Sequence, residues 1–226
     1  MSRLIKNITA RGHWSIAIHP EQFDASRVDY AELGKIVERS VVRLRGWPVP
    51  FIDYRENVLR GDDWVGQDLS PGIGQPEAWR FFTSGQFNHL RGFSADWRDR
   101  EYSTPIPAGA QSVVEVWEIL FYLTEVFELA GRLALTDAGD ERMVIRVALM
   151  GLEQRALVVA QPRRAEFMQP RMATMPAIER SVSITRDQLA ADARVEAVEL
   201  ARDIFLRFGW EATTEQLAGH QVEIDR

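Results

Sequence analysis

The chain contains no cysteine among its 226 residues. Disulfide bonds, thiol catalysis and cysteine-ligated metal sites are therefore excluded. Lysine is also scarce, because only Lys6 and Lys35 accompany the arginines that supply the other basic side chains. Arginine forms bidentate bonds to phosphate and carboxylate groups and stacks on aromatic rings. The bias is compatible with an anion site, although a GC-rich genome produces the same bias without one.

Several catalytic signatures are missing as well. The sequence has no G-x-x-x-x-G-K-[ST] phosphate loop, no H-E-x-x-H zinc motif and no G-x-S-x-G nucleophile motif. Only four histidines occur. His13 and His19 lie on one predicted strand, about 20 Å apart, which is too far to share a metal ion. The sequence therefore predicts no cofactor and no resident metal.

A long uninterrupted hydrophobic run is absent too. The residues that follow Met1 lack the apolar core of a signal peptide. The most apolar stretch, residues 113–135, contains four glutamates and does not read as a membrane span. We therefore expect a cytoplasmic protein of bacterial type that does not associate with membranes. The net charge of −6 argues against bulk nucleic-acid binding, which requires a basic surface.

The hydrophobic share of 46% is enough to form a substantial core, and its patterning predicts an α+β protein. In the first half, a strand is expected over His13–His19, and a short helix is expected after a capping box formed by Asp29 and Glu32. Further predictions are a strand over residues 41–44, an irregular loop over residues 54–76, and a hairpin of residues 78–83 and 86–93 around Ser84-Gly85.

The second half follows a proline- and glycine-rich segment at residues 103–111, which is a candidate division between two lobes of a single domain spanning residues 1–226. A long central helix is predicted over residues 112–135 because almost all of its positions are apolar. A second hairpin is predicted from residues 143–149 and 155–159, and a strand from residues 178–184. Thr185 and Gln188 predict a capping box for a C-terminal amphipathic helix that ends at Gly209. The sheet is expected to be mainly antiparallel.

Four tryptophans between residues 47 and 97 stand beside charged residues or glycine rather than inside apolar runs. Indole carries a large apolar surface and one N–H donor. Among arginines, such rings form either a recognition surface for a planar or anionic ligand or a set of structural stacks that hold loops to the sheet. The candidate ligand-binding residues are Arg45, Trp47, Arg60, Trp64, Trp97 and Arg98.

A second candidate site is acidic. Asp62 and Asp63 are adjacent in the predicted loop, where carboxylates can bind a divalent cation, and His89 on the neighbouring hairpin could act as a general base. These three residues would suit a metal-assisted phosphodiester hydrolase. Gly-Asp-Asp is equally a common turn, and nearby arginines such as Arg60 could neutralise it.

Three short segments resemble a pattern found in uncharacterised bacterial proteins. They are Arg45-Gly46-Trp47-Pro48, Ser84-Gly85-Gln86-Phe87 and Thr124-Glu125-Val126-Phe127-Glu128-Leu129-Ala130. In some of those proteins the similar region follows a Schlafen-like (AlbA-type) module that is assigned ATP or DNA binding. The resemblance covers most of residues 10–210 and implies an accessory or sensory domain of stress or phage-defence operons. It implies no catalytic residue.

Three hypotheses about function remain open. The first is a non-enzymatic binding, regulatory or sensory accessory protein whose 45–100 region engages a small anionic or planar ligand or a protein partner. In this hypothesis the acidic, apolar second half supplies the core and the contacts of a homo-oligomer. The second is the hydrolase that uses Asp62, Asp63 and His89, and the third is a structural oligomer subunit.

Overall fold

A computed structural model describes residues 2–70, 74–98, 104–160 and 165–225. Within these residues the chain forms ten strands and five helices, which do not alternate in a regular order. The helices are α1 (Arg3–Thr9), α2 (Leu33–Ser40), α3 (Val116–Ala134), α4 (Arg186–Arg207) and α5 (Thr214–Gln221). The strands are β1 (His13–Pro20), β2 (Leu59–Arg60), β3 (Trp64–Leu69), β4 (Glu77–Phe82), β5 (Phe87–Gly92), β6 (Ser112–Glu115), β7 (Arg142–Met150), β8 (Arg155–Val158), β9 (Arg171–Met172) and β10 (Ala177–Thr185).

Seven strands form one sheet in the order β10–β7–β1–β5–β4–β3–β2, and every neighbouring pair is antiparallel. β1 is central, since Ile16 pairs with His89 of β5 on one side and with Val147 of β7 on the other. Side chains two residues apart share a face of a strand. The inner face packs on α3, where Tyr122 contacts the ring of Trp14. The predicted α+β class with a mainly antiparallel sheet is confirmed.

A smaller sheet in the order β6–β8–β9 lies beside the larger one, and its β6–β8 pair is parallel. A buried ion pair connects the two sheets. The Arg155 guanidinium of β8 donates to Asp96 at 2.9 and 2.7 Å, and Asp96 also accepts from the backbone N–H of Gly12 before β1. One hydrophobic core extends from Trp14 to Leu217 and includes residues from both halves of the chain.

Several local predictions are confirmed. The hairpin of β4 and β5 turns at Ser84-Gly85, where Gly85 has the positive φ of 80° that favours glycine. Thr185 and Gln188 form both hydrogen bonds of a capping box at the start of α4. Gly209, with φ 73°, ends the helical region as expected. α3 is the predicted central helix, and nearly every residue along it is buried.

The predicted irregular loop over residues 54–76 is wrong, because β2 and β3 lie within it. Gly66 and Asp68 look like turn residues in the sequence, yet both belong to β3. Arg80 of β4 accounts for this difference: its guanidinium donates to the Gln67 carbonyl at 3.0 Å and to the Asp68 carboxylate at 2.5 Å. A polar strand is stable here because a neighbouring strand supplies its partners.

Three other boundaries differ from the predictions. The long helix begins at Val116, because residues 112–115 extend to pair with β8. β7 and β8 do not form a hairpin, since they belong to different sheets. Residues 41–44 form only an isolated bridge, between Val42 and Val49. The first two errors involve a partner distant in sequence, which local periodicity cannot reveal.

The capping box predicted for Asp29 and Glu32 forms only in part. Asp29 does cap the first turn, by accepting from the Ala31 N–H at 2.8 Å, but Glu32 binds Lys35 instead of reaching back. Along the described part of the chain, no helix combines the length and the apolar character needed to cross a membrane.

Candidate functional site

A polar cleft of about 370 Å³ opens where the first turn of α3 faces the end of β5. This volume falls within the usual range for small-molecule sites. Two larger depressions lie on the outer face of the large sheet and beside Gly12, but neither combines tryptophan with several arginines. Four segments of the chain line the cleft, which contains Arg45, Gly46, Trp47, Gly74, Gln75, Arg91, Ser94, Arg98, Glu115, Trp117, Glu118 and Tyr122.

The floor of the cleft is built by the β4–β5 hairpin. Glu77 lies directly opposite Arg91 in the ladder, and Trp79 lies opposite His89. The period of two in a strand puts these four side chains on the inner face, which α3 covers. A strand pattern that would normally be apolar thus brings a carboxylate, a guanidinium and an imidazole into the core.

A chain of buried polar groups runs under the floor. The Tyr122 hydroxyl lies 2.8 Å from His89 Nδ1, and His89 Nε2 lies 3.6 Å from Glu77 Oε2. Arg91 Nε lies 4.0 Å from the same carboxylate oxygen, and the Arg91 guanidinium stacks on the Tyr122 ring at 4.7 Å. Buried charges of this kind are costly unless they are paired. Removal of one of these side chains would therefore leave a buried charged or polar group without its partner.

The electrostatics of Glu77 follow from this arrangement. Burial alone would raise the pKa of Glu77, but His89, Arg91 and the Phe51 N–H at 2.7 Å together outweigh burial. The pKa of the carboxyl therefore lies below its usual value, and Glu77 is held as a carboxylate. Burial raises the pKa of Tyr122, so its hydroxyl keeps its proton.

One wall of the cleft pairs a second set of charges. Arg98 binds the Glu115 carboxylate through both of its terminal nitrogens, and Thr104 donates to the same carboxylate at 2.6 Å. Glu118 accepts from the Ser94 N–H at 3.0 Å and from the Ser94 hydroxyl at 2.7 Å. Burial nevertheless raises the pKa of Glu118. Among the described residues, Glu115 is bound by the Arg98 guanidinium, whereas the hydrogen bonds to Glu118 come from Ser94.

The opposite wall comes from the segment that contains the Arg-Gly-Trp-Pro sequence. Arg45 donates two hydrogen bonds to the carboxylate of Glu125, a fully buried residue of α3. The bond from Arg45 Nε is 2.9 Å long, and the second comes from Nη2. The Trp47 ring stacks on Phe51 with 4.4 Å between ring centres. Phe51 is itself held by Trp79, whose Nε1 donates to its carbonyl at 3.0 Å. This irregular segment is therefore anchored at both ends.

Three of the six predicted ligand-binding residues meet at this cleft, namely Arg45, Trp47 and Arg98. The other three lie elsewhere. Trp64 stacks under Arg80 at 4.7 Å, and Arg60 is exposed on β2. Trp97 packs close to the backbone and lies under Arg11 at 4.3 Å. Trp64 and Trp97 thus form structural cation–π stacks on other parts of the surface.

The residues predicted for a hydrolase are not brought together. Asp62 and Asp63 are exposed in the turn between β2 and β3. His89 is inside the core, where its ring contacts Tyr122. In the described ranges, no group of three or more His, Asp or Glu side chains has a geometry that could hold a metal ion. The ring of His220, the fourth histidine, packs edge-on against Trp117, with 5.0 Å between ring centres.

Sequence reasoning did not select the floor of the cleft. Arg91 follows Phe87 and His89 at a spacing of two, so the predicted hairpin already placed a charged side chain on a buried face. Glu118 and Tyr122 belong to the polar seam of the long helix and lie four positions apart, on one side of that helix. Charged residues that fall on a predicted buried face were the available signal, and it pointed to this cleft.

In comparisons of the chain with protein-family models, with curated proteins and with solved structures, no match was found. The cleft offers guanidinium donors, two indole surfaces and acidic residues from segments that are distant in sequence. Such a set is suited to holding a small ligand by stacking and by charge-assisted hydrogen bonds.

Proposed function

We propose that this protein is a non-enzymatic binding protein of a regulatory or sensory kind, and that its ligand occupies the cleft at the start of α3. One observation carries the proposal: three arginines and two tryptophans from separate segments converge on one cleft. Burying polar groups in this manner opposes stability, so a site of this composition is more readily understood as recognition than as packing.

Tryptophan fluorescence tests the proposal directly. The full-length protein is titrated with a panel of nucleotides and aromatic acids, and ligand NMR follows whether any compound is chemically changed. We expect saturable quenching without turnover, and we expect the Trp47→Leu variant to lose it. Trp64→Leu is the matched control, because Trp64 is also half-buried and stacked but lies outside the cleft.

Two results would contradict the proposal. The first is a panel in which no compound quenches the fluorescence or changes the melting temperature. The second is equal behaviour of Trp47→Leu and Trp64→Leu, which would place any binding elsewhere. Turnover that depends on Mg²⁺ and is lost in Asp62→Asn would instead favour the hydrolase hypothesis, for which the geometry gives no support.

Self-association belongs to the same proposal. β10 forms one edge of the large sheet along nine residues, and edge strands are templates for pairing with another chain. A melting temperature that rises with protein concentration would support a homo-oligomer, and one that stays constant would contradict it. A cytoplasmic location and an accessory role in stress or phage defence are proposed on the composition and on the sequence resemblance alone.

A further inference from the structure

The arginines of the cleft are not equivalent. Arg45 and Arg98 each bind a glutamate through two nitrogens, so their charges are already neutralised inside the protein. Arg91 differs, because among the described residues its ion-pair partner is Glu77 at 4.0 Å, and His89 shares that same carboxylate oxygen. Arg91 is also only 5% exposed, and its guanidinium lies on the floor of the cleft. It is therefore the cation with the most capacity to hold a further anion.

The present neighbour of Arg91 indicates which chemical group fits there. With the Gln75 amide oriented so that its oxygen faces the guanidinium, that oxygen accepts from Arg91 Nε at 2.7 Å and also from Nη2. An amide is planar and closely similar in shape to a carboxylate. Gln75 thus occupies, without charge, the position in which a carboxylate would make charge-assisted bonds to Arg91.

The acids of the cleft limit the charge of the ligand. Glu115 and Glu118 stand in the wall, and the hydrogen bonds that Glu118 accepts from the described residues come from Ser94. Glu115 and Glu125 already occupy the guanidinium groups of Arg98 and Arg45, so an additional negative charge on a ligand would enter a half-enclosed site with no further cation among the described lining residues to pair with it. A single negative charge is therefore favoured over the several charges of a polyphosphate.

The aromatic walls define the rest of the ligand. Trp47 is half-buried and already stacked on Phe51, so one indole is fixed in place by the protein. Trp117 is also held, against the rings of Phe121 and His220. Rigid indoles favour planar ligands because stacking then costs little side-chain entropy.

We propose that the cleft binds a small planar aromatic carboxylate, whose carboxylate replaces the Gln75 amide on Arg91 and whose ring packs against Trp47 and Trp117. This inference rests on the binding function proposed above and specifies its ligand class. Gln75 then acts as a neutral internal competitor that is displaced when the ligand enters.

Calorimetric titration with four probes tests the ligand class. They are naphthalene-2-carboxylate, its neutral isostere naphthalene-2-carboxamide, adenosine monophosphate and adenosine triphosphate. We expect the carboxylate to bind at least tenfold more tightly than the carboxamide and more tightly than either nucleotide. Equal binding of the carboxamide, or tighter binding of a nucleotide that still requires Trp47, would overturn the ligand class and leave the binding function intact. No binding of any probe would overturn both.

Two substitutions of one partly exposed residue test the position of the carboxylate. Gln75→Glu places a carboxylate on Arg91 permanently, so it should weaken naphthalene-2-carboxylate binding at least tenfold. Gln75→Ala removes the competitor, so it should leave the affinity unchanged or raise it. Both variants should keep the wild-type melting temperature within a few degrees. Retained affinity in Gln75→Glu, or a large loss in Gln75→Ala, would overturn the placement on Arg91.

Discussion

The inner face of the large sheet has two halves of opposite character. On β1 and β7 it presents Ile16, Ile18, Ile145, Val147 and Leu149, which are buried as in an ordinary core. On β5 and β4 the same face presents Arg91, His89 and Glu77, which are equally buried. Both halves pack on the same helix. Fold requirements alone therefore do not explain the polar half, since the apolar half shows how this sheet can be covered without charge.

The polar half departs from ordinary core packing at the place where the cleft lies. A buried ion pair seldom contributes more than the apolar residues that could replace it. Local departures from the rules of packing are expected at functional sites. The polar half lies directly beneath the cleft, and Arg91 and Tyr122 belong to both the buried cluster and the cleft lining. Substitutions in each half of the sheet test whether the two halves differ in this way.

The largest effect is expected from Glu77→Gln in the polar half. The substitution leaves Arg91 as a buried charge without its carboxylate, and breaking such pairs costs about 3–5 kcal/mol. Urea unfolding measures the loss in the free energy of unfolding. Glu56→Gln is the control, because Glu56 is exposed and should change stability little. A loss below about 1 kcal/mol would mean that the polar half behaves like a solvated surface.

In the apolar half of the sheet, we expect a loss of stability of similar size that arises only from apolar contacts. Leu149→Ala removes a fully buried side chain from β7, and such truncations cost about 2–5 kcal/mol through lost burial and cavity formation. Under conditions where the variant remains folded, its affinity for naphthalene-2-carboxylate should equal that of the wild type. A coupled loss of affinity would show that the two halves of the sheet are not independent.

The smallest effect is the contribution of Glu118 to the pH dependence of the free energy of unfolding. Because burial raises the pKa of Glu118 in the folded protein, its contribution to stability is present below the unfolded value of 4.5 and is lost as the pH rises through the higher folded value. The Glu118→Gln variant should lack this loss, whereas the exposed-site control Glu38→Gln should retain it. Unfolding free energies measured at a series of pH values above 4.5 give the comparison.

In the same experiment, Glu77 should make the free energy of unfolding change with pH in the opposite direction. Its pKa is lowered in the folded protein, so the stability that it contributes is present above the unfolded value of 4.5 and is lost as the pH falls through the folded value. The two glutamates can therefore be separated by the direction of their pH dependence. Identical profiles for wild type and Glu118→Gln would show that Glu118 is solvated, in contradiction to the burial described above.

Elements whose signals are local were predictable from the sequence. The β4–β5 hairpin needed only alternation and Ser84-Gly85, and α4 needed only Thr185, Gln188 and an apolar stripe. β3 was missed because Gly66 and Asp68 favour turns when they are considered alone. Its pairing depends on Arg80 of the next strand, and a contact of that kind is a property of two segments.

The candidate site was also predictable only where the signal is local. Arg45, Trp47 and Arg98 were selected because of their residue types, and they do meet. Trp64 has the same local character as Trp47, yet it lies outside the cleft, since Arg80 rather than another wall covers it. Residue type indicates what a side chain can do, but only the path of the chain decides what it faces.

By itself, the sequence determined the α+β class, the absence of cysteine chemistry and the excess of arginine and tryptophan between residues 45 and 98. These properties follow from composition and from periods of two and 3.6, which act over a few residues. The tertiary structure alone decided that Arg45 and Arg98 are each bound by a glutamate through two nitrogens, whereas the Arg91 guanidinium lies 4.0 Å from Glu77 and beside the Gln75 amide. That outcome depends on the pairing of Arg45 and Arg98 with glutamates 80 and 17 positions away, and Coulomb attraction acts across space rather than along the chain.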